Sequence, residues 1–574
     1  MTQTSTNLRF ARQQHSSHYS AWSCRFHLLF AFILMLSLSC AFAQDNAQLD
    51  ALFQDYDHVD TPGIAVSVIK DDQVVYQKGF GMANLEYGIP ITEQTKFHVA
   101  SLSKQFTAFM ILKLEDNGLL SIKDDIRKYI PELPDYGDVI TLNHLLTHSS
   151  GIRDQWRLLE MAGWRLDDVI KTEQIFKLIV NQKELNFTPG KRFQYSNSGY
   201  TLLAMVIERL TKTSFAQYAR QTIFDPLGMH DSFFYDDHEG VVQNRAYSYQ
   251  NKNDQLKKSN LNFATVGPTS LFTTIEDMNK WALNFQHMTV GNKNIFKSMD
   301  QQSKSSGFAK GQFVRNYKGH QMIYHSGSDA GYRLYFARFP KLGYYFTVFA
   351  NASYISAYDE IYKLINHYLQ DENPKTNEGE GSAKPFKYKE DLFITLSTDE
   401  LKKFEGRYYN TEEVEGFWSV FLVNDTLNCY GELIGDTIKL QPVGAKNFKV
   451  TGTPYDISVN FKENDYNEPI MEFRIPDIMW LWMEREESVN TSNYLGSYYN
   501  NELKAHYDLI EKDNELYLTH QKLDDIKIAP IRDLYFISEN RNFSEIRFQR
   551  DDAGEVTSFL VTNESVKSME FTKK

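Results

Sequence analysis

Ser101 and Lys104 stand three residues apart in Ser101-Leu102-Ser103-Lys104, at the head of a stretch where Leu102, Phe106, Phe109 and Met110 recur at helical spacing. On a helix, residues i and i+3 share a face, so the Lys104 amine can reach the Ser101 hydroxyl, and the helix N-terminus favours negative charge developing there. That pair would make a serine nucleophile with its proton acceptor beside it. The same spacing recurs at Ser67 and Lys70, but in an alternating stretch that reads as a strand, where i and i+3 point to opposite faces. Context therefore selects Ser101.

A phenol and an amide follow at Tyr195-Ser196-Asn197. The Tyr-x-Asn spacing also starts at Tyr249, Tyr408, Tyr498 and Tyr499, yet only at Tyr195 does it fall in a turn, after "FTPGKRFQ" and before a helical stretch near Tyr200. Such a turn presents side chains into a cleft. A basic residue two before a glycine occurs at His238, His325 and Lys341; of these, His325 closes a strand-like stretch, where a sheet edge could line a site. Taken singly these are a cap, a turn and a strand-end histidine. Their order along the chain gives them weight together. His144 and His148, at i and i+4, have the spacing of a zinc pair, but Leu145 stands where a zinc protease has glutamate and no third ligand is evident, so no metal or other cofactor is expected.

The elements that must position these groups can be read from the pattern. Residues 63–83 alternate on both sides of Asp71-Asp72, as two strands and a tight turn do. Asn117-Gly118 ends the helix that begins near Ser101. Residues 322–325, 332–339 and 344–350 read as strands, and a last helix spans about 358–369. Strands at both ends with helices between predict an α+β unit, an antiparallel sheet flanked by helices with a helical subdomain. A linker-like "DENPKTNEGEGSAKP" follows at 371–385. Beyond it, "FEGRYYN" at 404–410 echoes "YLGSYYN" at 494–500, with the two glycines 90 residues apart. Each copy opens an all-β segment that can close as a small barrel.

In order, Ser101, Lys104, Tyr195, Asn197 and His325-Ser326-Gly327 resemble the three motifs of the serine β-lactamase and penicillin-binding protein superfamily. The tyrosine form of the second motif resembles the class C β-lactamase branch, which includes DD-carboxypeptidases, D-aminopeptidases and esterases. "LLTHSSGI" at 145–152, "FTPGKRFQYSNSGY" at 187–200, "FDPLGMHDS" at 224–232 and "SLFTTIEDMNKW" at 270–281 resemble it too. The resemblance implies Ser101 as the acylated nucleophile, Lys104 lowering the pKa of Tyr195, and Tyr195 as general base. It implies an oxyanion hole from the backbone N–H groups of Ser101 and Ser328, with Gly327 beside it and Asn197 holding a substrate amide. The third motif departs: lactamases of this branch have lysine where this chain has His325, a group mostly neutral at pH 7 and a poor anchor for a carboxylate. The expectation is a serine hydrolase of amide or ester bonds in small, D-amino-acid-containing peptides or esters. A class C-type β-lactamase is the first alternative, and a non-catalytic scaffold binding cell wall or peptide the second.

Composition sets the frame. The 574 residues are 42% hydrophobic and 24% charged, close to a soluble globular average, which excludes disordered and polytopic membrane classes. Residues 1–43 carry Arg9, Arg12 and Arg25 without an acid, then an apolar run at 28–38 and Ala41-Phe42-Ala43. These are the parts of a secretory signal peptide. Its alternatives are lipidation at Cys40 or an uncleaved anchor. Removal would take the formal charge from −13 to −16 and leave Cys429 as the single thiol. An exported, periplasmic or secreted protein is expected, acting on a small-molecule or peptide substrate, with no nucleic acid and no membrane partner beyond that anchor. The expected parts are the signal at 1–43, a hydrolase domain at 44–370, a linker at 371–392 and barrels at 393–488 and 489–574.

Overall fold

The computed structural model describes residues 46–369, 387–389 and 392–574, apart from 304–306, 411–416, 432–435, 454, 464–468, 477–478 and 488. The proposed signal peptide and most of the proposed linker lie outside the described residues.

β1 (Ile64–Lys70) and β2 (Gln73–Phe80) form the hairpin expected around Asp71-Asp72, and both aspartates take positive φ, the primed turn whose twist matches its strands. A second hairpin, β3 (Tyr249–Lys252) and β4 (Gln255–Lys258), stands apart from the main sheet. Four more strands complete that sheet: β5 (Phe313–Tyr317), β6 (His320–Asp329), β7 (Tyr332–Phe339) and β8 (Tyr344–Ala350). All pairings are antiparallel, in the order β5-β6-β7-β8-β1-β2, so the chain's first strand pairs with one some 280 residues later.

Helices cover both faces. Ile64, Val66 and Val68 of β1 pack with Ile361, Leu364 and Ile365 of a helix at Ala357–Tyr368, while Ala65 and Ile69 face the larger helical core. At the centre of that core lies α1 (Ser103–Asp116), buried from Ser103 to Leu112, with its polar Ser103, Lys104, Gln105 and Thr107 enclosed among the apolar residues and each hydrogen-bonded there. Phe106 stacks on Trp281 at 4.4 Å between ring centres. α2 (Gln155–Met161) and α3 (Asn197–Thr211) complete the scaffold around the site.

Each half of the sequence echo opens a closed eight-stranded barrel. The correspondence extends to single bonds. Tyr408 and Tyr498 point inward, and each donates its hydroxyl to the carbonyl four residues earlier, Phe404 O at 3.0 Å and Tyr494 O at 2.6 Å. A Cβ on Gly406 would meet Arg485, and one on Gly496 would meet Lys573, each on the closing strand of its own barrel. The second barrel shares a hydrophobic core with the hydrolase domain. Buried Arg153, just before α2, pairs with Glu502 at 3.1 Å and donates to Lys567 O at 2.6 Å. Tyr507 donates to Met161 O at 3.1 Å.

Candidate active site

Ser101 sits in a single turn of 3-10 helix that leads into α1. Ala100 before it has φ 47°, a left-handed conformation that costs a non-glycine residue about 1 kcal/mol and aims the next side chain out of the helix. Lys104, one turn on, is fully buried. Its Nζ donates to Ser101 Oγ at 3.0 Å, Asn197 Oδ1 at 2.8 Å and Pro268 O at 2.9 Å. As an ammonium it serves all three acceptors; as an amine it offers its one lone pair to the serine proton.

Asn197 is oriented by a group that the sequence pattern did not single out. Asp154, the N-cap of α2, accepts from Trp156 N, Asn197 N and Asn197 Nδ2 at 2.9, 2.6 and 2.8 Å. With its backbone N–H and one Nδ2 hydrogen committed to Asp154, Asn197 turns its carbonyl to Lys104. Tyr195 receives a hydrogen bond from Ser101 and has the Lys104 ammonium 4.9 Å from its ring centre. His148, also unassigned from sequence, stacks on Tyr195 at 4.1 Å and accepts from Ser196 N at 3.2 Å. His144 instead closes a capping box with Thr141, so the two histidines serve separate structural ends.

The electrostatics differ from the expectation for Tyr195. Burial raises its pKa, Asp154 and Asp329 add to the rise, and the Ser101 hydrogen bond does not offset them, so the phenol keeps its proton. Lys104 is the group brought into range: burial lowers it to about 7, against the pull of Asp329 and Asp154. Asp329, at the end of β6, is raised by burial to about 6 and accepts a hydrogen bond from Thr269.

His325 also departs from its expected place. It lies inside β6 and not at its end, because the strand runs on to Asp329. Its ring is 2% exposed, packed on Tyr195, Phe308 and Phe313, and is not a substrate anchor. Burial and Lys104 lower its pKa to about 3, so it is neutral. Gly327 has a spatial reason: a Cβ there would lie 2.6 Å from Val99 O and 3.2 Å from the Ala100 Cβ, so only glycine lets β6 lie against the nucleophile's turn. Ser328 follows at the rim. β5 pairs β6 only as far as Tyr324, which leaves the next residues an edge beside Ser101.

Tyr195, Asn197, Asp154, Ser328, Asp329 and Arg333 line a cleft of about 970 Å³. The β3–β4 hairpin and the second barrel's Arg541, Glu564 and Ser565 form its outer walls. The structure thus places Tyr195, Asn197 and Ser328 on the cleft wall, with Ser101 and Asn197 bonded to Lys104, Gly327 packed against the turn before Ser101 and His325 buried behind Tyr195.

A sheet-and-helix fold with a serine, a buried lysine and a tyrosine in contact defines the class of serine hydrolases built on the β-lactamase fold. The chain belongs to the Beta-lactamase family, whose model matches residues 49–369, more than half of its length. Among curated relatives, "Protein flp" of Staphylococcus aureus (strain MRSA252) is 27% identical over 340 residues, covering 56% of this chain and 65% of the relative, just under two thirds of its length. Among solved structures, the octameric penicillin-binding protein homologue from Pyrococcus abyssi superposes with a TM-score of 0.52 at 25% identity, over 78% of this chain and all of that one. The D-amino acid amidase of Ochrobactrum anthropi shares the fold, with a TM-score of 0.50 at 18% identity over 57% of this chain and 99% of its own.

Proposed function

We propose that the protein is an exported serine hydrolase that forms an acyl-enzyme on Ser101 and cleaves amide or ester bonds of small peptides or esters, D-amino-acid-containing ones included. The observation that carries this reading is the buried Lys104 Nζ, 3.0 Å from Ser101 Oγ, with its pKa near 7. In the amine form Lys104 takes the Ser101 proton as Oγ attacks the carbonyl. The backbone N–H groups of Ser101 and Ser328 receive the oxyanion. Tyr195, which keeps its phenolic proton, gives it to the leaving group and is reprotonated from Lys104. In deacylation a water loses its proton to the amine, its oxygen attacks the ester carbonyl, and Ser101 regains a proton as the acid leaves.

Incubation of the full chain with a fluorophosphonate or a penicillin, followed by mass spectrometry, tests the reading. An adduct that disappears in Ser101→Ala supports it, and no adduct with either probe removes it. Faster labelling by penicillin would favour the lactamase alternative. The neutral, buried His325 in place of a lysine supports the peptidase or esterase side. Export rests on the charge and apolar pattern of residues 1–43 and is checked by the N-terminal sequence of the protein recovered from its host.

A further inference from the structure

The far walls of the cleft carry more positive charge than a chain of net charge −13 would suggest. On the α2 side, Arg157 and Arg541 share one acid: Glu160 meets Arg157 at 3.1 Å and Arg541 at 2.7 Å. Asp167 is shared in the same way, ion-paired to Arg165 at 2.8 Å and with Lys252 near enough to stabilise its charge. Opposite them stands the β3–β4 hairpin. Its turn, Asn253-Asp254, has positive φ at both residues, and the register Gln250↔Lys257 and Lys252↔Gln255 puts Lys252 and Lys257 on one face. Both lysines are exposed, both line the cleft, and neither has an ion-pair partner of its own among the described residues. Arg333 adds a further cation at the inner end, beside Asp329.

The hairpin is held in place. Gly331, in the turn between β6 and β7, lies so close to Tyr249 that a Cβ would be 2.3 Å from its carbonyl oxygen. Tyr249 N donates to Asn351 O at 2.8 Å, and Ser248 Oγ accepts from Gly331 N at 3.2 Å. The base of the hairpin that carries the lysines is therefore anchored to the turn between β6 and β7, next to Asp329. Seven basic residues line the cleft against four acidic ones, Asp154, Asp167, Asp329 and Glu564, an excess of positive charge that favours an anionic group there although the molecule as a whole is acidic.

We infer that the substrate carries a carboxylate remote from its scissile bond, so that this hydrolase selects acidic peptides or esters through Lys252, Lys257 and the Arg157–Arg541 wall. This inference rests on the proposed hydrolase reading and deepens it. The acidic group would sit in the outer cleft, away from the oxyanion position.

The test uses the full chain and matched substrates with Glu, Gln or Lys at the same position, on the acyl side in one series and on the leaving side in another. The expected order of kcat/KM is Glu above Gln above Lys in one series, with a Glu-to-Lys ratio of about tenfold or more at low salt that shrinks as salt is added. In the double variant Lys252→Glu/Lys257→Glu that ratio collapses or inverts. Equal kcat/KM across all three substrates, or a ratio unmoved by the double variant, overturns the inference. Calorimetric binding of the same Glu and Lys peptides to Ser101→Ala reads the preference without turnover. Loss of turnover with every substrate, the neutral one included, therefore counts against the hydrolase reading, while equal binding of both peptides counts against the acidic preference.

Discussion

Asp154→Asn asks whether Lys104 is the titrating proton acceptor. Asp154 reaches Lys104 through Asn197, across two hydrogen bonds of 2.8 Å on either side of the amide. That places the charges roughly 7 Å apart, worth about 2 kcal/mol at an effective dielectric near 20, or one to two pH units. The carboxylate favours the ammonium, so removing it lowers the Lys104 pKa from its value of about 7. Below its pKa Lys104 is charged and cannot accept a proton, and above it the amine is free, so the rate rises with pH through that value. In the variant this acid limb moves to lower pH by one to two units. The plateau falls as well: two hydrogen bonds to a charged acceptor become bonds to a neutral one, a loss of about 1–3 kcal/mol in holding Asn197, or roughly ten- to hundredfold in rate. The assay is kcat/KM for a neutral p-nitrophenyl ester between pH 4.5 and 9. Asp329, with a pKa of about 6, would give a limb in the same range, so Asp329→Asn is the companion variant. A limb that survives in Asp329→Asn and shifts down in Asp154→Asn belongs to Lys104. A limb that stays in place or rises in Asp154→Asn refutes the assignment, and one found only in the alkaline range returns the role to a tyrosinate.

Three further outcomes follow from contacts in and around the site. Gly327→Ala puts a Cβ 2.6 Å from Val99 O, so β6 must back away from the nucleophile's turn; a loss of about 1–3 kcal/mol in stability and a large drop in fluorophosphonate labelling rate are expected, and unchanged values of both would contradict the packing reason. Glu502→Ala strands the buried Arg153 guanidinium between domains, which costs about 3–5 kcal/mol, read as a lower urea midpoint that the double variant Arg153→Met/Glu502→Met partly restores; a midpoint equal to that of the parent would show that the domains are not coupled through this pair. His325→Lys places an amine where burial and Lys104 already hold an imidazole neutral, so a lower Tm without gain of penicillin hydrolysis is expected, and a gain at unchanged Tm would show that the position opens to the cleft.

What could be read beforehand divides along a physical line. Ser101, Lys104, Tyr195 and Asn197 stand in short stretches whose spacing is set by helix and turn geometry, and local geometry is what a sequence displays. The echo around Gly406 and Gly496 was legible for the same reason, since each copy reproduces one strand and one tyrosine bond. Asp154 was not legible: an aspartate before a helix is an ordinary cap, and only the fold shows that the same carboxylate, 43 residues from Asn197, orients the amide that holds Lys104. His325 was misplaced because the pattern ends a strand where polar residues begin, whereas β6 continues through Ser326-Gly327-Ser328 along the cleft. The direction of the Lys104 and Tyr195 shifts was hidden for a deeper reason. Attraction between an ammonium and a phenolate can be inferred from proximity alone, but burial penalises each charge separately, and its size depends on every side chain around the pair. Here the helical core that makes α1 possible encloses Lys104 completely, so the packing that positions the amine is also what brings its pKa to about 7.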